Sequence, residues 1–242
     1  MSRYANIAAY RFVPLDDREA LRTRLHDAAQ ERGLKGTILL APEGINIFLA
    51  GVEAALQAFC GQLQQDPRFA ALDIKWSHSE SLPFKRLRVR LKKEIVTLGL
   101  AGFSAADSPA PYLPAQELKR WYDEGRPFVI LDTRNRWEIE QGSFDRALDP
   151  GLSSFGEFPA ALEGMADLKD TPIVTFCTGG IRCEKAAPLM KRAGFNQVYQ
   201  LEGGILRYFE EVGGAHWHGN CVVFDDRGAL APDLTPAHTT AS

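Results

Sequence analysis

One segment in the C-terminal half restricts the fold of this chain more than any other. It reads Val-Thr-Phe-Cys-Thr-Gly-Gly-Ile-Arg-Cys over residues 174–183. An apolar strand is predicted to end at Cys177, two glycines follow, and a helix is predicted to begin near Cys183. Ligands of open α/β sheets bind at the carboxyl ends of strands, where this order of elements puts the Cys177 thiol. The segment therefore predicts a strand–loop–helix unit with a reactive cysteine in its loop.

The loop itself has the composition of an anion-binding site. Its two glycines allow the backbone to turn sharply, so that successive N–H groups and the helix N-terminus point inward. A thiol in that setting has its thiolate form favoured, and Arg182 adds a fixed positive charge. We therefore predict that Cys177 is the catalytic residue. The predicted active-site loop consists of Thr178, Gly179, Gly180, Ile181 and Arg182.

The sequence around this loop predicts a parallel sheet. Apolar runs at residues 128–131, 173–176 and 198–201 are typical of strands buried on both faces. Helical patterns at 158–162 and 184–192 lie between them. Alternating strands and helices indicate a parallel sheet covered by helices.

The first hundred residues predict a different α/β domain. Strand patterns at 6–13, 36–40, 45–50, 72–77 and 87–98 alternate with helical patterns at 16–32 and 52–65. The order βαββαβ is that of a ferredoxin-like α/β sandwich, with one added strand leading out of it.

The chain of 242 residues is therefore predicted to hold two domains. The N-terminal ferredoxin-like domain is placed at 1–100 and a linker rich in Ala, Ser, Asp and Pro at 101–111. The second α/β domain is placed at 112–214 and a C-terminal extension at 215–242. We expect the tail after Asp233 to fray.

Composition narrows the setting in which the protein works. The net charge is −3, so any nucleic-acid contact requires a local concentration of positive charge. No segment reaches the roughly 18 apolar residues that a membrane helix needs, and the N-terminus lacks the pattern of a signal peptide. Four widely scattered cysteines fit a reduced compartment better than a disulfide framework. We therefore expect a cytoplasmic protein with no membrane partner.

A basic strand is the second informative segment. Within residues 84–93, basic and apolar residues alternate from Arg86 to Lys92, so these basic side chains share one face. Such a row of positive charge suits RNA phosphates. It equally suits a solvated edge strand whose charges block aggregation, and the sequence leaves both interpretations open. The predicted RNA-binding residues are Arg86, Arg88, Arg90 and Lys92, with Lys185 extending the patch.

Two residues near Cys177 have roles that the sequence leaves undecided. Cys183 is either a resolving thiol for Cys177 or a small residue that fills the first helical turn. Asp132 either supports the loop and substrate or pairs with Arg134 as a structural element. Glu138 is expected to be a surface or structural residue.

The remaining cysteines and the neighbouring histidines are not assigned to a functional site. Cys60 shares a helical face with apolar residues and is predicted to lie in the core, and Cys221 is predicted to be a structural residue of a late strand. His216, His218 and Cys221 lie close together, but no fourth ligand is evident, so no metal is predicted.

The C-terminal half resembles the rhodanese family. The resemblance is carried by Cys177–Arg182, by Asp132-Thr-Arg with Glu138 and Gly142, and by Leu201-Glu-Gly-Gly-Ile. It implies a rhodanese-like fold and a persulfide or other covalent modification on Cys177. Cysteine phosphatases share the strand–loop–helix, but they place one more residue between Cys and Arg than the four here. The smaller ring suits a sulfur atom better than a phosphoryl group.

The whole chain resembles one rhodanese subfamily, the TrhO family of tRNA uridine hydroxylases. The motifs are Ala-Pro-Glu-Gly-Ile-Asn at 41–46, Pro-Phe-Lys at 83–85, the cysteine loop through Lys185, and Leu-Glu-Gly-Gly-Ile at 201–205. The resemblance implies an oxidoreductase that converts the wobble uridine of tRNA to 5-hydroxyuridine, with molecular oxygen as co-substrate. No cofactor motif is evident, and the electron donor is not indicated.

The residues alone point to sulfur chemistry, so two other functions stay open at this stage. One is a sulfurtransferase that uses thiosulfate or a persulfide donor. The other is a binding module whose loop senses oxidants or anions without turnover.

Overall fold

The computed structural model of the chain describes residues 3–100, 102–103 and 109–237. These residues separate into two units. The N-terminal unit runs to Ile95 and includes Phe224–Arg227, and the C-terminal unit comprises Val96–Val223 and the chain from Gly228 onward. The linker predicted at 101–111 falls mostly outside the described residues. Within the described part of the chain, no helix is long and apolar enough to cross a membrane.

The N-terminal unit is built on a five-stranded sheet with two α-helices. Its elements in chain order are β1 (Tyr4–Phe12), α1 (Arg18–Glu31), β2 (Lys35–Ala41), β3 (Gly44–Gly51), α2 (Glu53–Gln64), β4 (Ile74–Ser79) and β5 (Leu87–Leu91). The strand order is β4-β1-β3-β2-β5. Every pairing among the first four strands is antiparallel, and β5 runs parallel to β2 at the edge. This arrangement confirms the predicted ferredoxin-like sandwich with an added strand.

One face of this sheet is covered by the two helices. Buried residues recur at helical spacing along α1 (Leu21, Leu25) and along α2 (Leu56, Phe59), and they pack on alternate residues of the strands. Burying each such side chain contributes roughly 1.5–3 kcal/mol. The helices therefore fix which side chains of each strand point away from this core.

The added strand is shorter than the sequence predicted. It ends at Leu91, whereas the pattern extended to 98. The amide of Ile95 donates to the carboxylate of Glu43 (2.7 Å) and Ile95 is buried. The amide of Lys92 still donates to the Leu40 carbonyl of β2 (2.8 Å), and by Ile95 a side chain and not a neighbouring strand satisfies the backbone.

The C-terminal unit contains a four-stranded sheet flanked by helices. Its principal elements are β6 (Tyr112–Leu113), α3 (Ala115–Asp123), β7 (Val129–Asp132), α4 (Arg136–Ile139), β8 (Gly142–Phe144), α5 (Phe158–Ala161), β9 (Ile173–Phe176), α6 (Cys183–Arg192), β10 (Val198–Leu201) and α7 (Gly204–Val212). The order is β6-β10-β9-β7 and every pairing is parallel. The predicted parallel sheet is confirmed. Its carboxyl edge brings together the residues that follow β7, β9 and β10.

The chain after α7 is more ordered than the sequence predicted. The strand β11 (Trp217–Gly219) pairs with β8, and β12 (Cys221–Val222) pairs with β13 (Ala229–Leu230). The tail expected to fray is instead tied back as far as residue 237, because Ala237 donates its amide to Ala229 and Pro236 bridges Leu230. Residues 238–242 lie outside the described part.

A glycine in β2 provides a stability test of the N-terminal unit. Gly36 has a φ of +129°, and an added Cβ would lie 2.0 Å from the carbonyl oxygen of Phe48. Gly36→Ala should therefore lower the free energy of unfolding by about 3 kcal/mol or more, as a shift in the urea midpoint. Gly61 in α2 has nothing within 4 Å of an added Cβ, so Gly61→Ala should be neutral or stabilising by about 0.5–1 kcal/mol. Similar midpoints for the two variants would contradict this description of β2.

Candidate active site

The site is centred on the loop between β9 and α6. Cys177 directly follows the last strand residue, and its side chain is fully buried. The loop turns at Gly180, whose φ is +95°. Because of this turn, the amide of Gly180 points back and donates to the Cys177 sulfur (N···Sγ 3.2 Å). The helix α6 then begins at Cys183, whose amide donates to the Gly180 carbonyl (3.0 Å).

A second helix holds the loop from its carbonyl side. At the start of α7, the amides of Ile205 and Leu206 donate to the carbonyl oxygens of Cys177 and Thr178 (both 3.0 Å). Gly204 makes this approach possible, because a Cβ there would lie 2.4 Å from the Cys177 carbonyl oxygen. The carbonyl groups are thus satisfied by α7, which leaves the loop amides directed at the sulfur.

The guanidinium of Arg182 is held by a carboxylate that the sequence did not assign to the site. Arg182 donates two hydrogen bonds to Glu138 (2.7 and 2.8 Å), and both side chains are buried. The surface alternative for Glu138 is therefore wrong, and the structural alternative holds. The sequence placed Glu138 in the first rhodanese-like motif, but no local pattern identifies its partner across 44 residues.

These groups set the ionisation of Cys177. Burial by itself raises the pKa of the thiol. The hydrogen bond from Cys183, the charge of Arg182 and the amides of Arg182 and Gly180 lower it, and the net pKa falls from 9.0 to about 5. Cys177 is thus a buried thiolate at neutral pH, which is the nucleophilic form of cysteine.

Counting donors shows that the Cys183 thiol is the donor toward two neighbouring hydroxyl groups. Thr133 donates its hydroxyl proton to the carbonyl of Phe176 (2.8 Å), and Thr175 donates its own to the carbonyl of Tyr199 (3.1 Å). Both hydroxyl oxygens can therefore only accept from Cys183, whose sulfur lies 3.7 Å from Thr133 Oγ1.

The same surroundings keep Cys183 protonated. Burial is the largest influence on this thiol, and the hydrogen bond and the negative charge of Cys177 act in the same direction, so the pKa of Cys183 lies well above 9.0. Of the two neighbouring thiols, Cys177 carries the charge and Cys183 carries the proton.

Asp132 belongs to a buried scaffold beside the loop. Its carboxylate accepts from Arg134 (Nε 2.9 Å, Nη2 2.6 Å) and from Ser143 (2.8 Å). Arg134 also donates to the carbonyl of Gly142 (2.7 Å). Asp132 therefore forms the structural pair with Arg134, which was one of its two predicted roles.

The basic strand residues are placed as the alternating pattern predicted. Arg88 and Arg90 on β5, together with Arg86 and Lys92 at its two ends, are exposed. Lys185 differs, because it is only 2% exposed and its ammonium group donates to the carbonyl of Val96 (2.8 Å). This corrects the prediction that Lys185 extends the RNA-binding patch, since a buried ammonium group is unavailable to phosphates.

The other cysteines and the histidines have surroundings of a different kind. Burial raises the pKa of Cys60 to about 11 and that of Cys221 to about 12. His216 stacks on Tyr122 and hydrogen-bonds Asp123 (2.8 Å), and His218 pairs with Asp145. Among the described residues, no group of three or more His, Cys, Asp or Glu side chains is arranged to hold a metal ion.

Comparisons with known proteins cover both units. Residues 4–95 match the model of the UPF0176 acylphosphatase like domain, and residues 114–211 match that of the rhodanese-like domain. A tRNA uridine(34) hydroxylase of Variovorax paradoxus is 53% identical, covering 100% of this chain and 94% of that protein. The proteins of the same name from Thiobacillus denitrificans and Cupriavidus necator are 54% and 53% identical, each covering 96% of this chain and respectively 96% and 84% of those proteins.

The charges around Cys177 lead us to expect opposite shifts of its pKa in two variants. In Glu138→Gln, Arg182 loses its counter-charge, so the pKa of Cys177 should fall below about 5. In the double variant Arg182→Met/Glu138→Gln, the positive charge is gone and no buried carboxylate is left unpaired. The pKa of Cys177 should then rise by about one unit or more, which is tenfold less thiolate at a pH below the midpoint.

The measurement is the pH dependence of Cys177 alkylation by iodoacetamide, followed by mass spectrometry of the peptide. The midpoint is used and not the absolute rate, because the sulfur is buried and a substitution at Arg182 also changes the access of the reagent to it. Indistinguishable midpoints in the three proteins would show that Arg182 does not set the charge of this thiol.

Proposed function

Because the chain belongs to the tRNA uridine(34) hydroxylase family, we infer that it hydroxylates the wobble uridine of tRNA. The observation that supports a catalytic role for the rhodanese-like unit is the buried Cys177 thiolate, surrounded by the Gly180 and Arg182 amides and the Arg182 guanidinium. A sulfurtransferase would use the same loop, but full-length relatives carrying the hydroxylase name favour hydroxylation.

We propose that the product is 5-hydroxyuridine and that molecular oxygen supplies the new hydroxyl. In the balanced reaction, the C5–H bond of uracil becomes C5–OH. The second oxygen atom leaves as water after taking up two electrons and two protons from a separate reductant. The loop amides and Arg182 are placed to stabilise negative charge that develops at the sulfur or on a small oxidised or persulfide group attached to it.

We propose that Cys183 is a positioning residue for Cys177. Its S–H group faces two hydroxyl oxygens that can only accept and one thiolate. It therefore donates its proton to the strongest hydrogen-bond acceptor among these three. A resolving thiol must ionise to attack a sulfur, and the neighbouring negative charge of Cys177 opposes that ionisation. The donor counting therefore favours stabilisation of the Cys177 thiolate over disulfide formation.

We propose that the N-terminal unit contributes the contacts to tRNA. The exposed basic side chains at 86, 88, 90 and 92 form a local row of positive charge on a chain whose net charge is −3. Such a row attracts phosphates without requiring a basic protein overall. Action on tRNA also supports a cytoplasmic location.

The first test measures 5-hydroxyuridine derivatives in tRNA by nucleoside mass spectrometry, in cells that carry only the variant protein. Cys177→Ala and Cys177→Ser should each lower the product at least about a hundredfold, because neither side chain forms a thiolate at neutral pH. Cys60→Ala, which removes a buried thiol from the other unit, should retain it. Persistence of the product in Cys177→Ala would contradict the proposed function. Rapid sulfur transfer to cyanide with no tRNA product would favour a sulfurtransferase.

The second test separates the two roles of Cys183. Cys183→Ser keeps a hydrogen-bond donor, so the Cys177 alkylation midpoint should stay near that of the wild type. Cys183→Ala removes the donor, and the midpoint should rise by about one unit, with hydroxylation lost first at acidic pH. A Cys177–Cys183 disulfide trapped during turnover, or equal midpoints in Ser and Ala variants, would overturn the positioning role.

A further inference from the structure

The face of the N-terminal sheet that lies opposite α1 and α2 carries its own set of side chains. Along each strand they alternate with the core residues, so the register of the sheet determines which of them are neighbours. On β3, Phe48 lies between the core residues Ile47 and Leu49 in sequence and is partly exposed. On β1, Tyr10 follows the core residue Ala9 and is also partly exposed.

The register places Phe48 at the centre of a row that crosses all five strands. Ala8 pairs with Phe48, and Phe48 pairs with Thr37. Thr37 pairs with Arg88 on the edge strand, and Ala8 pairs with Lys75 on the other edge. An aromatic ring therefore lies between small, partly exposed neighbours. The exposed Arg88 ends the row on one side, and on the other side it ends at Lys75, which is buried and paired with Asp73 (2.9 Å).

The next row holds the second ring. Tyr10 pairs with Asn46, which pairs with Leu39, which pairs with Arg90. Asn46 is buried, because its amide donates to the carbonyl oxygen of Ile95 (3.4 Å). Tyr10 has the ammonium group of Lys75 5.0 Å from its ring centroid and the ring of Phe12 at 6.2 Å.

Phe48 and Tyr10 are diagonal neighbours on adjacent antiparallel strands, a relation that corresponds to a separation of roughly 7–8 Å. That separation suits two successive bases that are splayed out of a single strand. Every base has a π-face, so two rings at this spacing recognise unpaired nucleotides with little regard to sequence. Aromatic residues on the open face of a four-stranded sheet are a known means of stacking RNA bases.

The charge of the edge strand is complementary to this ligand. Arg88 and Arg90 end the two rows that contain Phe48 and Tyr10, and both are exposed. Bases stacked on the rings would bring their phosphates toward this edge. Neither a duplex, whose bases are already stacked on one another, nor an acidic protein segment makes use of the rings.

We propose that this face of the N-terminal sheet binds unpaired nucleotides of the tRNA anticodon loop, with bases stacked on Phe48 and Tyr10 and phosphates held by Arg88 and Arg90. The identity of the ligand rests on the proposed function, since a wobble-uridine hydroxylase must hold the anticodon loop. The stacking itself is a property of the sheet face and is tested by binding alone, without turnover.

The experiment measures binding of the full chain to an anticodon stem-loop RNA and to a perfectly paired duplex of equal length and charge, at several salt concentrations. Phe48→Leu and Tyr10→Leu should each weaken stem-loop binding at least about fivefold, with the slope of log affinity against log salt unchanged. Phe48→Tyr and Tyr10→Phe, which keep a ring, should bind like the wild type. Duplex binding should be weaker and insensitive to all four substitutions.

The phosphate contacts proposed for Arg88 and Arg90 are tested by the salt dependence of binding. Arg88→Ala and Arg90→Ala should each reduce the magnitude of the salt slope for the stem-loop by about 0.7. Arg22→Ala removes the same charge from an exposed position on α1, which covers the opposite face of the sheet, and should leave the slope unchanged. The urea midpoint of each variant verifies folding.

Two results would overturn the stacking proposal: equal affinity for stem-loop and duplex, or wild-type affinity in both leucine variants. If tRNA is hydroxylated while the leucine variants bind the stem-loop normally, the stacking proposal fails and the proposed function stands. If the wild type binds the stem-loop through these rings but forms no hydroxylated product, the proposed function fails and the stacking surface stands.

Discussion

The ionised sulfur of Cys177 is the constraint on which the C-terminal unit depends. A buried charge is strongly unfavourable unless hydrogen-bond donors and an opposite charge surround it. Here the loop amides, the Cys183 thiol and Arg182 supply them, and the pKa falls to about 5 although burial acts in the opposite direction. The first amides of α7 bind the loop carbonyls of Cys177 and Thr178, and the Gly180 amide is left directed at the sulfur.

Placing Arg182 beside the thiolate buries a second charge, and the buried guanidinium also needs a partner of opposite charge. Glu138 satisfies it with two hydrogen bonds. Close by in the sequence, Asp132 and Arg134 form another buried pair that ties β7 to the start of β8. Such pairs contribute little net stability, but removing one partner leaves an unpaired buried charge. The Glu138–Arg182 pair therefore keeps the guanidinium in place beside the thiolate.

The RNA binding that we propose for the N-terminal unit requires a different kind of surface. Its helices cover one sheet face, and the alternation of side chains along the strands leaves Phe48 and Tyr10 on the other. The chemistry of the C-terminal unit needs one atom in a closed ring of donors, whereas holding RNA needs an extended face. A ferredoxin-like sheet with a basic edge strand supplies such a face with few specialised residues.

What the sequence determined by itself was local. The strand, the two glycines, the arginine and the helix follow one another within ten residues, so the cysteine loop could be predicted from their order. The periodicity of the first hundred residues likewise predicted the ferredoxin-like sheet, although β5 ends at Leu91 and the Ile95 amide beyond it donates to Glu43 and not to a strand.

Tertiary structure decided the rest, since it depends on which distant segments meet. The pairing of Glu138 with Arg182, the burial of Lys185 against Val96 and the contact of Cys183 with Thr133 join residues that no sequence period relates. The neighbouring positions of Phe48 and Tyr10 follow from the register of β1 and β3. Hydrogen bonds between strands set such contacts, and a spacing along the chain cannot specify them.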